Sequence, residues 1–231
     1  MKKRDVIVAC DFDSAERTLA FLDRFRRDKP FVKIGMELFY AEGPDIVRAV
    51  KARGHRVFLD LKLHDIPNTM RQAMAALAGL GVDMCNLHAG TVEAMSSALQ
   101  GLDPDPDRRP LVIAVTQLTS VSGRQLRDEL LITAAVEETV LHYAGNAKKA
   151  GLSGVVCSAL ESRSIKQAFG PDFLTVTPGI RFAEDSRQDQ ARTATPAAAK
   201  QAGVDYIVVG RPITGAPDPV AVYRRCVADF L

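Results

Sequence analysis

The stretch Val57-Phe58-Leu59-Asp60-Leu61-Lys62-Leu63-His64-Asp65-Ile66-Pro67-Asn68-Thr69 decides the fold. It begins as a strand, Val57–Leu61, too apolar for an ordinary solvated edge. Asp60 and Lys62 are two apart, so on a strand they point to one face. Burying charges there costs several kcal/mol per ion before pairing offsets part of it. Pro67 suits the first turn of a helix. The stretch therefore reads as a buried strand that turns charged at its C-terminal end and then enters a helix.

Working outward, the same alternation recurs along the chain. Short apolar runs lie at Val6–Ala9, Phe31–Gly35, Val57–Leu61, Met84–His88, Leu111–Thr116, Gly154–Cys157, Leu174–Thr177 and Tyr206–Val209. Between them, apolar residues fall at helical spacing, as in Leu19, Leu22 and Phe25 before the second run and Val136, Val140, Ala144 and Ala147 before the sixth. Ser14, Thr91 and Pro219 supply helix-entry signals. Eight nearly continuous apolar strands alternating with helices imply a parallel sheet covered by helices, and eight is the number that closes a barrel. The expected fold is a single (β/α)8 TIM barrel domain over residues 1–231. A doubly wound open sheet is the alternative, but the turn Cys10-Asp-Phe-Asp-Ser14 lacks the glycine fingerprint of a dinucleotide-binding fold. Gly101–Asp107, rich in Pro and Asp, reads as a loop, and the polar segment Gly179–Thr195 as a lid over the barrel mouth.

Composition narrows the function classes. With 30 Lys+Arg against 28 Asp+Glu, the net charge of +2 gives no chain-wide field for nucleic acid or an anionic membrane. The N-terminus reaches Asp11 after too short an apolar run for a signal peptide, and no run approaches the roughly 20 residues of a membrane span, so a cytoplasmic protein is expected. Cys10, Cys85, Cys157 and Cys226 are far apart, without metal-site spacing, and read as buried free thiols.

In such barrels the reactive groups come from the C-terminal ends of the strands. The polar residues gather there: Asp11, Lys33, Asp60 with Lys62, Thr119, Thr177-Pro-Gly-Ile-Arg181, and Gly210-Arg211. Singly, each has an ordinary explanation. Asp11 suits a cap for the helix near Ser14; Lys33 suits a snorkelling strand lysine; Asp60 and Lys62 suit one structural ion pair; Asp65–Thr69 suits loop punctuation. Together, two lysines and three aspartates at neighbouring strand ends suggest a preorganised alternating network. Gly210 and Arg211 after the eighth strand sit where this barrel class binds phosphate, with close backbone approach and a charged fork. His64, inside the charged motif, reads as structural packing or as a residue supporting the charges, and His88, ending the fourth strand, as a satisfied buried histidine or one reaching the cavity, while His55 and His142 read as surface or helix residues. No metal-ligand spacing is present.

Asp60-Leu-Lys-Leu-His-Asp-Ile-Pro-Asn-Thr69 closely resembles the signature of the orotidine 5'-phosphate decarboxylase family, bacterial type. Ala9-Cys-Asp11, Val32–Met36, Val115–Ser120, Thr177–Arg181, Asp189-Gln190 and Val208–Ile213 resemble the family pattern in order. The resemblance implies cofactor-free, metal-free decarboxylation of orotidine 5'-phosphate to uridine 5'-phosphate and carbon dioxide in pyrimidine biosynthesis. It also implies a homodimer in which Lys33, Asp60 and Lys62 form a charged network with Asp65 from the partner subunit, Lys62 being the proton donor. By the same resemblance, Asp11 and Lys33 contact the ribose, Ile66 and Thr69 belong to the shared substrate pocket, Thr119 lies by the base, and Arg181, Gln190, Gly210 and Arg211 serve the phosphate. Two rivals predict otherwise. Magnesium-dependent sugar-phosphate relatives share Asp-x-Lys-x-x-Asp but carry an acidic ligand where this chain has Lys33. A silent nucleotide-phosphate binder would gain nothing from so many buried charges.

Overall fold

The computed structural model describes residues 4–184 and 193–231. Strands β1 (Asp5–Ala9), β2 (Phe31–Gly35), β3 (Val57–Leu63), β4 (Met84–His88), β5 (Leu111–Val115), β6 (Gly154–Val156), β7 (Leu174–Thr177) and β8 (Tyr206–Val209) pair in parallel. They form one closed barrel in sequence order, β8 returning to β1. The expected (β/α)8 architecture is present, and the open-sheet alternative is set aside by that closure.

Strand alternation builds two apolar layers. Outward-facing Val6, Val8, Val32, Ile34, Val57 and Leu59 pack beneath the helices. Inward-facing Ile7, Phe31, Phe58, Met84, Ile113, Leu174 and Tyr206 fill the barrel itself. Both faces are therefore covered, which is why the strands read as continuous apolar runs. Each such side chain contributes roughly 1.5–3 kcal/mol when fully buried. At Gly154 a Cβ would lie 2.2 Å from the Leu174 carbonyl oxygen, so only glycine lets β6 meet β7.

The helical covering follows the predicted caps. Ser14 accepts from the Arg17 amide at the start of helix Ala15–Leu22, Thr91 accepts from Ala94 ahead of Val92–Gln100, and Asp218 with Pro219 opens Pro219–Phe230. Two connections hold an extra helix: Met36–Glu42 precedes Asp45–Ala52, and Gly123–Asp128 precedes Val136–Lys149. The Gly101–Asp107 loop runs into a single 3-10 turn, Pro106–Arg108. All four cysteines are buried free thiols.

Three readings need correction. Phe25 lies beyond the end of helix Ala15–Leu22, although it is fully buried. His55 is not a surface residue: it is buried, with Nδ1 3.0 Å from the Pro30 carbonyl oxygen, because the turn into β3 folds it under the sheet. His142 is exposed on its helix as expected. The third correction bears on the site. β3 continues to Leu63 instead of stopping at Leu61, and its register against β4 shifts: Leu59 pairs with Cys85 but Leu63 with Leu87. The extra length is taken up in a bulge around Lys62, whose φ of 51° is left-handed.

Candidate active site

One alternation step toward the C-terminal ends, the inward positions cease to be uniformly apolar. Above Phe31, Phe58 and Met84 stand Lys33, Asp60 and Asn86; above Ile113, Gly154, Leu174 and Tyr206 stand Val115, Val156, Val176 and Val208. These residues, with Lys62, Gln117, Leu118, Thr119 and Pro178, line a cavity whose empty volume is about 580 Å³, its open mouth included. That is ordinary for a small-ligand site, which is typically about 300–1,000 Å³.

The charges form an alternating chain. Lys33 Nζ lies 2.8 Å from Asp11 Oδ1 and 3.3 Å from Asp60 Oδ2, and Lys62 Nζ lies 2.6 Å from Asp60 Oδ1. The side chains of Lys33, Asp60 and Lys62 keep only 10, 13 and 22% of their exposure, whereas Asp11 stays open at 57%. Burial would push the Lys33 ammonium down, yet Asp60 and Asp11 outweigh it and hold its pKa above the ordinary lysine value. Burial likewise works against the Asp60 carboxylate, but Lys33, Lys62 and the hydrogen bonds from Lys62 and Asn86 hold it below the usual range. Lys33 and Asp60 thus hold each other in their charged forms.

Asp11 is thereby assigned to Lys33, not to the helix cap, a role Ser14 fills. Lys33 does not snorkel, and Asp60 bridges both lysines instead of forming one pair. Thr119 is buried against the cavity. Asp65, Ile66 and Thr69 stand apart from their own chain's cavity, exposed at the start of helix Pro67–Ala78; Asp65 Oδ1 accepts from the Ile66 amide at 2.7 Å. Gly210 and Arg211 open the short helix Arg211–Thr214 after β8. Arg181 lies after β7, its guanidinium donating to the Ile180 carbonyl at 2.8 Å. A Cβ on Gly210 would meet Ala9 only at ordinary contact distance, 3.7 Å, so that neighbour does not demand glycine. The backbone of Arg181 donates to Ala194 at 3.0 Å, which pins the base of the Gly179–Thr195 segment. Gln190 and Asp189 lie outside the described residues.

Asn86, Gly35 and Gln117 were not anticipated. Asn86 is fully buried and donates to Asp60 Oδ1 at 2.6 Å; a lone amide inside Met84-Cys-Asn-Leu-His88 was the available signal. At Gly35 a Cβ would stand 3.0 Å from Asp11 Oδ1 and 3.1 Å from Lys33 Nζ, so a side chain there would crowd the ion pair. His64 and His88 meet edge to face with ring centroids 5.8 Å apart. Burial first, then His64 and Lys62, lowers the His88 pKa and favours its neutral form. Among the described residues, no group of three or more His, Cys, Asp or Glu is placed to hold a metal ion.

A closed parallel barrel carrying buried, mutually held charges at its C-terminal mouth defines an α/β-barrel enzyme. Residues 4–226 match the family described as Orotidine 5'-phosphate decarboxylase / HUMPS family. Orotidine 5'-phosphate decarboxylase of Geobacillus sp. (strain WCH70) is 55% identical over 228 residues, covering 97% of this chain and 95% of that one. The protein of the same description from Streptococcus thermophilus (strain ATCC BAA-491 / LMD-9) is 55% identical over 232 residues, covering 100% and 99%. The crystal structure of orotidine 5'-phosphate decarboxylase from Lactobacillus acidophilus superposes with a TM-score of 0.87 at 42% identity, covering 99% of each chain. The chain belongs to the orotidine 5'-phosphate decarboxylase / HUMPS family.

Proposed function

We propose that this chain is an orotidine 5'-phosphate decarboxylase, releasing carbon dioxide and uridine 5'-phosphate as a step of pyrimidine biosynthesis. The carrying observation is the chain Asp11–Lys33–Asp60–Lys62 in a cavity whose opposite wall is valine. Loss of carbon dioxide from C6 of the pyrimidine leaves an electron pair in the ring plane, outside the π system. Electrostatic stabilisation must come from the protein. Lys62 supplies it as a cation facing C6 and then gives the proton that replaces the carboxylate. Asp60 keeps Lys62 and Lys33 in position, and Asp11 with Lys33 takes the ribose hydroxyls. The valine wall and Thr119 enclose the base; excluding water there strengthens every charge interaction in the site.

Arg181, Gln190, Gly210 and Arg211 serve the distal phosphate, whose binding energy supports the chemistry at the reacting carbon; residues 185–192 of the expected lid lie outside the described residues. Asp65, Ile66 and Thr69 complete the site of a second copy in a homodimer. Their exposure beside their own chain's barrel mouth supports this, as does Ile66, an apolar residue left 66% exposed. Residues 1–231 act as one domain, with neither metal nor organic cofactor. No described helix is long and apolar enough to cross a membrane, and four buried free thiols suit a reducing cytoplasm. The magnesium-dependent alternative is disfavoured by Lys33, a cation paired to both aspartates where those relatives need an acidic ligand.

Purified protein mixed with orotidine 5'-phosphate and a chelator is expected to give uridine 5'-phosphate, followed by ultraviolet absorbance. Activity that vanishes with chelation and returns with magnesium would favour the rival. For the shared site, mixing inactive Lys62→Ala and Asp65→Ala chains is expected to restore activity, and no restoration on subunit exchange would count against it.

A further inference from the structure

We infer that Asn86 is a positioning residue for the decarboxylation, its single amide fixing both the Asp60 carboxylate and the backbone of Lys62. This rests on the role proposed for Lys62. Nδ2 of Asn86 donates to Asp60 Oδ1 at 2.6 Å, and Oδ1 of Asn86 accepts from the Lys62 amide at 2.8 Å. Only one amide orientation serves both: reversed, a carbonyl would face a carboxylate and an NH2 would face an N–H.

The second contact falls at the β3 bulge. Lys62 is one of two non-glycine residues with positive φ among the described residues, and such a conformation persists where surrounding contacts over-determine it. The register shift leaves its N–H without a regular partner on β4, and Asn86, on β4 itself, supplies one. The same side chain also takes up the Asp60 oxygen that binds Lys62 Nζ. The lysine is thus held at its backbone and at its ammonium through one buried residue on the neighbouring strand, leaving its direction little freedom. With its amide oxygen engaged by Lys62 and its amide nitrogen by Asp60, Asn86 acts through those two residues.

The test compares Asn86→Ala and Asn86→Asp with the parent. Asn86→Ala is expected to lower kcat roughly 100-fold, the scale on which a misplacement of about 1 Å costs rate, with KM changed far less. Asn86→Asp keeps the acceptor for Lys62 but sets a second carboxylate against Asp60. The groups facing it are Asp60 and Lys62 from β3, Lys33 from β2, Asp11 after β1, His64 just past β3 and His88 at the end of β4 itself. Two adjoining carboxylates raise the pKa of one, so a retained proton restores the donor at low pH and is lost as pH rises. The kcat of Asn86→Asp should therefore fall with rising pH where the parent's does not.

Parent-like kcat in a folded Asn86→Ala, or a pH profile of Asn86→Asp parallel to the parent's, would overturn the inference. In the unaltered protein the Asn86 side-chain amide and the Lys62 backbone amide should exchange slowly with solvent. Fast exchange at both would overturn it whether or not the variants fold. Lys62→Ala keeps the two readings separate: if it stays active the role of Lys62 fails, and if it is inactive while the Asn86 variants match the parent, only the positioning role fails.

Discussion

The two halves of the barrel mouth occupy equivalent positions and are built oppositely. Strands β2 to β4 place Lys33, Asp60 and Asn86 there; β5 to β8 place Val115, Val156, Val176 and Val208. The charged half is strongly held together, each ion touching one of opposite sign, while the valine half has no polar side chain at that level. Neither half would suffice alone. Charges in water at about 4 Å interact by only about 1 kcal/mol, and several-fold more beside a low-dielectric wall. On the proposed reading the valines strengthen the lysines' fields, and the aspartates make it possible to bury them.

The comparison breaks most severely if the charge at its end is removed. Lys62→Ala should lower kcat by more than about 10⁴-fold, since a general acid contributes about 10²–10⁴ and an electrostatic donor about 10²–10³. Steady-state assay of the folded variant checks this. Arg211→Ala, outside both halves, should reduce kcat/KM by roughly 10- to 150-fold, the equivalent of about 1.5–3 kcal/mol for a hydrogen bond to a charged group. A parent-like value would remove Arg211 from the phosphate site.

On the apolar side, Val176→Thr preserves shape but buries a hydroxyl, at a cost of about 1–3 kcal/mol when unpaired. Its Tm should drop while kcat changes less than in Lys62→Ala; calorimetry and kinetics together separate packing from chemistry. Gly35→Ala should lower kcat/KM by no more than about tenfold, because the nearer crowded atom, Asp11 Oδ1, belongs to a side chain left 57% exposed that yields within a rotamer adjustment of about 0.5–1.5 kcal/mol. The smallest expected effect is that of pH on the network. Asp60, with its pKa depressed, contributes stability above the ordinary carboxylate value of about 3.9 and loses it only as pH falls through its lower folded value. Lys33, with its pKa raised, contributes fully below the ordinary lysine value of about 10.4 and loses its contribution as pH rises through a higher one. Neither should titrate in the window between, which carbon-detected NMR of the two side chains would show.

The barrel was legible because burial on both faces forces eight apolar runs, and alternation forces helices between them. Strand ends were readable to within one residue; the exception, β3, which runs two residues further, matters because a bulge is a property of two strands and leaves little mark on one. The charged positions stood out for the same reason the strands did: Lys33, Asp60 and Lys62 interrupt runs where charge is costly. Asn86 was hidden, since a single buried amide carries no formal charge and its two partners are known only once β3 and β4 are side by side. Gly35 was hidden because its meaning lies in the side chain it lacks. His55 misled because polarity alone predicted exposure, whereas a carbonyl of the β2 approach accommodates it inside.

The most direct measurement is parallel turnover of orotidine 5'-phosphate by the parent and Lys62→Ala in the presence of a chelator. The account predicts full activity in the first and nearly none in the second, with the variant still folded. Fast product formation by Lys62→Ala, or a parent that works only after metal is restored, would contradict it.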